Sequence, residues 1–188
     1  MLERILPKAK SLVKEIAAQN DILIDATCGN GHDTKFMADL TGPSGKVYSF
    51  DIQEEALDNA KTLTEGLTNI HYILDSHANV DKYINENVKA AMFNLGYLPK
   101  GDKSITTKSD STLEAITQIF GILEPGGRIV IVVYHGHPGG KEEKDALYDF
   151  VMQLPQKEAN VLEYRFINQK NSAPFIFCIE KNSCCPAE

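Results

Sequence analysis

Short apolar runs alternate with amphipathic segments along the chain, and this alternation restricts the possible folds more than any other feature. ILIDA at 22–26, KVYSFD at 46–51 and IHYIL at 70–74 have the length and the β-branched or aromatic content of strands. RIVIVVY at 128–134 is a continuous β-branched run, which is typical of a central strand that is buried on both faces. Strands that alternate with helices predict βαβ units and therefore a mostly parallel sheet.

The full pattern predicts seven strands with helices on both faces of the sheet, which is a Rossmann-like, doubly wound α/β fold. The remaining predicted strands are 88–95, 160–167 and 174–180, and the predicted helices are 3–19, 33–40, 53–65, 77–85, 110–122 and 141–153. The last two strands follow each other without a helix between them, so we expect them to pair antiparallel at one edge of the sheet. A fold of this kind binds its ligand at the carboxyl ends of the strands.

Length and composition fit one domain, which we place at 1–181, followed by a flexible tail at 182–188. The sequence has no apolar run long enough to span a bilayer and no signal-peptide pattern, so we expect a cytoplasmic protein without a membrane partner. The formal net charge of −7 argues against attachment to nucleic acid by bulk electrostatics, but it leaves a local nucleic-acid site open. The four cysteines have no metal-binding spacing, so we expect no metal ion.

A glycine-rich loop, DATCGNGHD at 25–33, follows the first strand and precedes a helix. Gly29 and Gly31 allow the backbone to bend sharply and to approach a ligand closely. A dinucleotide-binding fingerprint would have a third glycine where this chain has Thr34, so that fingerprint fails. Together with the absence of a Tyr-x-x-x-Lys pair, this argues against an NAD(P)-dependent oxidoreductase, which is the main alternative enzyme class.

Acidic residues bracket this loop and recur at the end of the next strand. Carboxylates at Asp25 and Asp33 repel a pyrophosphate but attract a cation, such as the sulfonium and amino groups of S-adenosylmethionine (SAM). The amide of Asn30 can bind the amino-acid end of the same molecule. Asp51 lies 20 residues after the second loop glycine, where it can accept ribose hydroxyls or cap the next helix, and Gln53 can contact the sugar or the adenine. The sequence therefore predicts a SAM site, with S-adenosylhomocysteine as the product.

DSH at 75–77 ends the third strand, at the position beside which adenine lies in this fold. Ser76 and His77 could contact the base, or they could cap the helical segment that follows. The pattern leaves both roles open.

Asn94-Leu-Gly-Tyr97 ends the fourth strand and is similar to the Asn-Pro-Pro-Tyr motif of enzymes that methylate amino nitrogens. The side-chain oxygen of Asn94 and a neighbouring backbone carbonyl can accept the N–H bonds of an amine and aim its lone pair at the methyl carbon. Tyr97 can pack on the substrate base. The tetrapeptide therefore predicts that the methyl acceptor is a nitrogen.

Two polar loops complete the predicted edge. Asp102 can take a proton or pair with a substrate ammonium, and Lys103 can hold a phosphate. YHGHPGG at 134–140 ends the fifth strand, and its glycines allow close approach while Tyr134 and His135 offer stacking faces and donors. Its two histidines lack a third ligand of clear spacing, so we expect this loop to line the substrate rather than to hold a metal.

Together, DATCGNGHDT, FDIQ, DSHAN, NLGYLPKGDK and YHGHPGG resemble a family of small bacterial proteins formerly described as rRNA methylases. Members of that family are tRNA methyltransferases that convert 5-aminomethyl-2-thiouridine at the wobble position into 5-methylaminomethyl-2-thiouridine. The resemblance covers residues 1 to about 181 and implies a class I, SAM-dependent methyltransferase whose partner is the tRNA anticodon stem-loop. A methyltransferase of rRNA or of a small-molecule amine, and a non-catalytic adenosine-nucleotide sensor, are the alternatives.

The resemblance also implies a role for each motif residue. It places SAM among Asn30, Asp33, Asp51, Gln53, Ser76 and His77, beside the loop residues Asp25, Gly29 and Gly31, and it places the anticodon nucleotides near Asn94, Tyr97, Asp102, Lys103, Tyr134, His135, Gly136 and His137. We expect direct in-line transfer, with Asn94, Tyr97 and Asp102 as catalytic residues. An alkylamine is mostly protonated at neutral pH, so the enzyme must either bind the neutral form or first remove a proton, for which Asp102 and His137 are the candidates. A homodimer would give a small acidic enzyme more surface for an anticodon arm.

Overall fold

The computed structural model describes residues 1–95, 109–136 and 138–183. Its helices are α1 (Ile5–Lys14), α2 (His32–Thr41), α3 (Glu54–Leu63), α4 (Ser109–Ile122) and α5 (Gly140–Gln153), with a 3-10 helix at His77–Lys82. Its strands are β1 (Ile22–Asp25), β2 (Lys46–Asp51), β3 (Ile70–Leu74), β4 (Val88–Leu95), β5 (Leu123–Val133), β6 (Ala159–Tyr164) and β7 (Phe175–Lys181).

Within the described residues, the strands form a seven-stranded sheet in the order β3-β2-β1-β4-β5-β7-β6. Strands β1 to β5 pair in parallel, and β7 runs antiparallel to both β5 and β6. The predicted doubly wound α/β fold with antiparallel pairing at one edge is therefore confirmed. The strand order reverses between β1 and β4, and this reversal is where open α/β sheets leave a crevice for a ligand.

Strand β4 shows how the sequence fills both faces of the sheet. Because side chains alternate along a strand, Ala90 and Met92 enter the core beneath α1 and α2, while Ala91, Phe93 and Leu95 enter the core on the face covered by α4 and α5. All five are buried. The strand is therefore apolar at every one of these positions, and helices are needed on both faces to cover it.

Several predicted boundaries were wrong. The opening helix, expected at 3–19, spans only Ile5–Lys14, and the strands expected at 160–167 and 174–180 span Ala159–Tyr164 and Phe175–Lys181. The helix expected at 77–85 is a short 3-10 helix that ends at Lys82. Strand β5 begins at Leu123 rather than at 128, because the EPGG segment at 124–127 does not simply stop the preceding helix. It forms an irregular start of the strand, where the register with β4 shifts, and the ladder then resumes at Arg128.

Within the described part of the chain, no helix has the length and apolar character needed to cross a membrane.

Candidate functional site

The ends of β1, β2, β4 and β5 bring the predicted site residues to one edge of the sheet. Asp25 pairs in register with Ser49 of β2 and with Met92 of β4, while Asn94 of β4 pairs with Val132 of β5. Adjacent strands are about 4.8 Å apart, so residues just beyond these positions lie within reach of one small ligand. The carboxyl edge of the sheet is therefore where the motifs converge.

The glycine-rich loop turns tightly against α3. Gly31 has a φ of +81°, and a Cβ atom at this position would lie 2.7 Å from both Cα and Cβ of Ala60. That separation is too short for any side chain, and the obstacle is the α3 backbone itself. Gly29 also has a positive φ, of +52°. Glycine is thus required by both the conformation and the close approach of the two segments.

Asp51 ties the glycine-rich loop to the end of β2. One carboxylate oxygen of Asp51 accepts the backbone N–H of Gly29 at 2.9 Å, and the other accepts the N–H of Gln53 at 3.0 Å. The second bond closes a local turn just before α3, and Gln53 is the N-cap residue of that helix. The carboxylate is therefore held in place at the edge where the sequence predicted a ribose contact, and that contact itself stays a prediction.

Asp25 lies beneath the loop. It is 1% exposed, and its carboxyl accepts hydrogen bonds from the Thr34 hydroxyl at 2.6 Å and from the backbone N–H of Thr27 at 3.2 Å. Burial, and next the charge of Asp33, raise the pKa of Asp25 from 3.8 to about 7. Thr34, which replaces the third fingerprint glycine, thus uses its hydroxyl to order the loop. A direct contact between Asp25 and a cofactor stays a prediction.

Asn94 is fixed by two partners from other parts of the chain. Its backbone N–H donates to the Thr27 hydroxyl at 2.7 Å, and its side-chain Nδ2 donates to Oδ2 of Asp33. The other Asp33 oxygen forms an ion pair with Nζ of Lys10 on α1, at 3.0 Å. Because a carboxylate only accepts hydrogen bonds, this contact determines which end of the Asn94 amide faces Asp33.

The free end of the same amide is the acceptor. Oδ1 of Asn94 is buried and has no hydrogen-bond partner among the described residues. A buried carbonyl oxygen without a partner is costly, and such atoms in native proteins commonly await a ligand. The structure therefore brings together Asp33 and Asn94, which the sequence assigned to cofactor and substrate respectively, and presents an unused acceptor between β4 and the glycine-rich loop.

Ser76 and His77 both take part in local structure. The Ser76 hydroxyl accepts the backbone N–H of Ala78 at 3.2 Å, so the capping role is confirmed for this residue. Nδ1 of His77 lies 2.9 Å from the carbonyl oxygen of Ala26, and its ring packs edge-on against Phe93. Burial lowers the pKa of His77, which favours the neutral ring. Nδ1 then donates to the carbonyl, and the buried Nε2 is an acceptor that has no partner among the described residues.

The loop after β5 has two aromatic residues that lie differently. Tyr134 is 37% exposed, and its pKa is raised by partial burial and by the negative charge of Asp33. His135 packs edge-on against Phe175, with ring centroids 5.7 Å apart. Gly136 lies beside Ser172, so that an added Cβ would come within 3.4 Å of its side chain. Tyr134 is thus the residue of this loop that offers a free aromatic face near Asp33.

The remaining predicted site residues are Asn30, which contacts a neighbouring helix, and four residues outside the described part of the chain. Tyr97, Asp102, Lys103 and His137 lie outside the described residues. Asn30 accepts a 3.3 Å hydrogen bond from Asn59 on α3.

Lys10 is a site residue that the sequence analysis missed. A lone lysine on an amphipathic helix carries no motif, and only the packing of α1 brings it to Asp33. In the described ranges no group of three or more His, Cys, Asp or Glu side chains is arranged to hold a metal ion.

Cys28, which lies in the glycine-rich loop, is buried and packs with Leu57 and Ala60. Burial raises the pKa of its thiol to about 12, so the thiolate is strongly disfavoured. Cys28 therefore fills space in the turn.

Known proteins share this sequence and this geometry. Residues 47–180 match the protein family described as "Putative rRNA methylase". The chloroplastic tRNA (mnm(5)s(2)U34)-methyltransferase of Arabidopsis thaliana is 35% identical over 183 residues, which cover 90% of this chain and 67% of the relative. The sequence similarity thus reaches well beyond the glycine-rich loop.

Two solved structures superpose along almost their whole length. The crystal structure of a "putative rRNA-methylase" from Clostridium thermocellum is 41% identical and has a TM-score of 0.94, covering 96% of this chain and 99% of that one. A "putative methyltransferase" from Streptococcus mutans, solved in complex with SAH, is also 41% identical, with a TM-score of 0.89 and the same coverage. The chain therefore belongs to the rRNA methylase family and has the Rossmann-like fold of class I methyltransferases.

Proposed function

We propose that this SAM-dependent methyltransferase acts on tRNA and methylates the 5-aminomethyl group of the wobble uridine or 2-thiouridine, giving the 5-methylaminomethyl nucleoside. The observation that carries the proposal is the buried Oδ1 of Asn94, which has no hydrogen-bond partner in the described part of the chain and whose orientation Asp33 determines. The relative from Arabidopsis thaliana, whose printed name gives the same wobble modification, supports the choice of substrate.

The residues on the donor side fit SAM. Bound SAM supplies an electrophilic methyl group on a sulfonium cation. The carboxylates of Asp33 and Asp51 give this edge of the sheet the negative charge that a cation needs, and Gly31 lets the loop between them turn tightly against α3. Asn30, Gln53, Ser76 and His77 complete the proposed donor site, with the buried Nε2 of His77 as an available acceptor.

On the acceptor side, Asn94 positions the nitrogen. Its Oδ1 accepts one N–H bond of the neutral amine, so that the nitrogen lone pair is left free to face the methyl carbon. In the transfer, a nitrogen–carbon bond forms as the carbon–sulfur bond breaks, and the resulting ammonium loses a proton. Asp102 or His137 is proposed to remove the proton that the substrate ammonium must lose before transfer, as the sequence suggested, and no covalent enzyme intermediate is needed.

The anticodon loop is proposed to lie across the ends of β4 and β5. Tyr134 offers an exposed ring near Asp33, and His135 and Gly136 continue the same loop. Tyr97 and Lys103 are proposed to contact a base and a phosphate. Recognition of a few unstacked bases by stacking requires less positively charged surface than binding to the phosphates of a duplex. A chain with a net charge of −7 can therefore bind this substrate. We expect the reaction to take place in the cytoplasm.

The test is methyl transfer from labelled SAM to total tRNA from cells that lack this protein, followed by digestion to nucleosides and mass analysis. We expect a new 5-methylaminomethyl nucleoside that is missing when the Asn94→Ala variant is used. Ribosomal RNA from the same cells is assayed in parallel, because the family description names that substrate. Incorporation into rRNA alone, or into neither RNA despite measurable SAM binding, would refute the tRNA assignment while leaving the donor site intact.

A further inference from the structure

A groove of about 750 Å³ opens beside the loop after β5 and has not been assigned a role. One wall is formed by Met1, Leu2 and residues 4–7, and the other by Phe166, Gln169 and Pro174 of the connection between β6 and β7. Tyr134 also lines the groove. The groove is therefore built from the first turn of α1 and from the edge of the sheet, apart from the glycine-rich loop.

Apolar side chains that line this groove are exposed to an unusual degree. Leu2 is 74% exposed, Leu6 is 44% exposed and Tyr134 is 37% exposed. A cluster of exposed large apolar residues beside a functional site marks a surface that binds another molecule. Contact between these apolar side chains and water is unfavourable, and a bound molecule would remove it.

The charge of the groove indicates which kind of molecule it binds. Among the described residues that line it, Arg4 is the one charged side chain, and none is acidic. The whole chain has 26 acidic and 19 basic residues, so a surface with a cation and no carboxylate is a local exception. Its charge is complementary to a phosphate, and its apolar and aromatic walls are suited to a base face.

The groove is also continuous with the acceptor position. Asn94 pairs in register with Val132, and Tyr134 follows two residues later on the adjacent strand. From strand geometry, the Cα atoms of Asn94 and Tyr134 are roughly 8 Å apart, which is close to the distance between neighbouring nucleotides in an extended strand. A nucleotide whose amine faces Asn94 therefore has its neighbour near Tyr134.

We propose that this groove binds an unstacked nucleobase adjacent to the nucleotide that is methylated, with Arg4 facing the intervening phosphate. The inference rests on the proposed function in taking the substrate to be RNA and its reacting amine to face Asn94. A second copy of the chain could also cover an apolar groove, but a contact there would obstruct the approach to Asn94. The single cation and the absence of carboxylates among the described lining residues also favour a polyanion over this acidic chain.

Two groove variants and one matched control test the proposal. Leu6→Glu places a carboxylate in the groove and Arg4→Ala removes its cation, while Met152→Glu places a carboxylate at a 79% exposed position on α5, which does not line the groove. Circular dichroism melts establish that each variant is folded. Each is assayed with an anticodon stem-loop and with the free 5-aminomethyl nucleoside, which has no neighbouring base.

We expect Leu6→Glu to raise the KM for the stem-loop by about tenfold or more, the loss that one base stack represents, with a smaller rise for Arg4→Ala. The kcat for the stem-loop, the Kd for SAM and the activity on the free nucleoside should stay within about twofold of the original values, as for a residue that touches only the neighbouring base. An unchanged KM in both groove variants, or an equal rise in Met152→Glu, would overturn the proposal.

A second readout does not depend on catalysis. A stem-loop with 2-aminopurine beside the wobble position should lose fluorescence when it binds the original protein, because the base stacks, and should lose much less when it binds Leu6→Glu. If the stem-loop binds both proteins but the fluorescence loss is the same, the groove assignment is overturned, even if methylation of tRNA is established. If tRNA is not methylated but the difference is seen, the proposed function fails and the groove assignment stands. Sedimentation of a dimer that Leu6→Glu converts into monomers would assign the groove to a second copy instead.

Discussion

The carboxylate of Asp33 accepts a hydrogen bond from the side-chain amide of Asn94, although the two residues are 61 positions apart in the sequence. The bond joins the glycine-rich loop to the end of β4, on the two sides of the point where the strand order reverses. Because the amide nitrogen faces Asp33, Oδ1 of Asn94 is the atom left to accept the amine in the proposed reaction. A donor-side residue therefore sets the orientation of an acceptor-side residue.

Asn94→Ala should reduce kcat much more than it weakens SAM binding. Removing the acceptor oxygen leaves the amine unoriented, and positioning of this kind is worth about a hundredfold or more in rate. Single-turnover methylation of the anticodon stem-loop gives the rate, and calorimetry gives the Kd for SAM, which we expect to change by no more than about threefold. Equal losses in rate and in SAM affinity would contradict the assigned role.

Lys10→Met should lower kcat by about tenfold, as expected when a group that orients a reacting atom loses its support. The Lys10 side chain is 33% exposed, and an ion pair this accessible contributes little to stability, so the melting temperature should hardly change. Lys10→Arg keeps the charge and should restore most of the rate. The matched control is Lys35→Met, which removes a similar exposed ion pair to Asp39 on α2. A loss of rate that simply follows a loss of stability would count against this positioning role.

The sequence was sufficient for local structure. Strands 46–51, 70–74 and 88–95 were predicted to the residue, because each is a short run rich in apolar or aromatic residues whose ends are marked by polar or turn residues. The insertion of β7 between β5 and β6 was not predicted, since the pattern indicates that two strands pair but not which strand lies beside a third.

The site was predictable where a motif brings its residues together, and less so where packing does. Asp25 shows the difference: its acidity suggested a ligand contact, whereas burial assigns its carboxyl to Thr34 and Thr27. Lys10 shows the same limit, because nothing local distinguishes it from a solvated lysine until α1 docks on the sheet. Long-range contacts of this kind are set by tertiary packing and have no signature within a short window.

Gly31→Ala should destabilise the protein by more than about 3 kcal/mol and abolish SAM binding. A positive φ alone costs about 1–2 kcal/mol for alanine, and here the new Cβ would also lie 2.7 Å from the backbone of Ala60. Gly66→Ala is the matched control, because Gly66 has a φ of +88° and nothing within 4 Å of an added Cβ. Urea unfolding of both variants separates the clash from the conformational cost, and equal destabilisation would show that the close approach to α3 is unimportant.

Asp25→Asn should change how stability depends on pH. The pKa of Asp25 rises from 3.8 to about 7 on folding, first because the carboxyl is buried and next because Asp33 is near. The folded state therefore binds more protons than the unfolded state between these values. The contribution of Asp25 to the free energy of unfolding is fully present below about pH 4 and is lost as the pH rises through about 7. Asparagine does not titrate, so the variant should gain stability relative to the original protein as the pH is raised from 5 to about 8.

Urea unfolding at several pH values in this window measures the effect as the difference between the two free energies of unfolding. Asp149→Asn, which changes an exposed carboxylate on α5, is the control and should give a difference that hardly varies with pH. If the difference for Asp25→Asn were also constant, the carboxyl would be ionised across the whole window. It would then carry a full negative charge beneath the glycine-rich loop, and Asp25 would contribute directly to the attraction of a cationic ligand instead of ordering the loop as a hydrogen-bonded, largely neutral group.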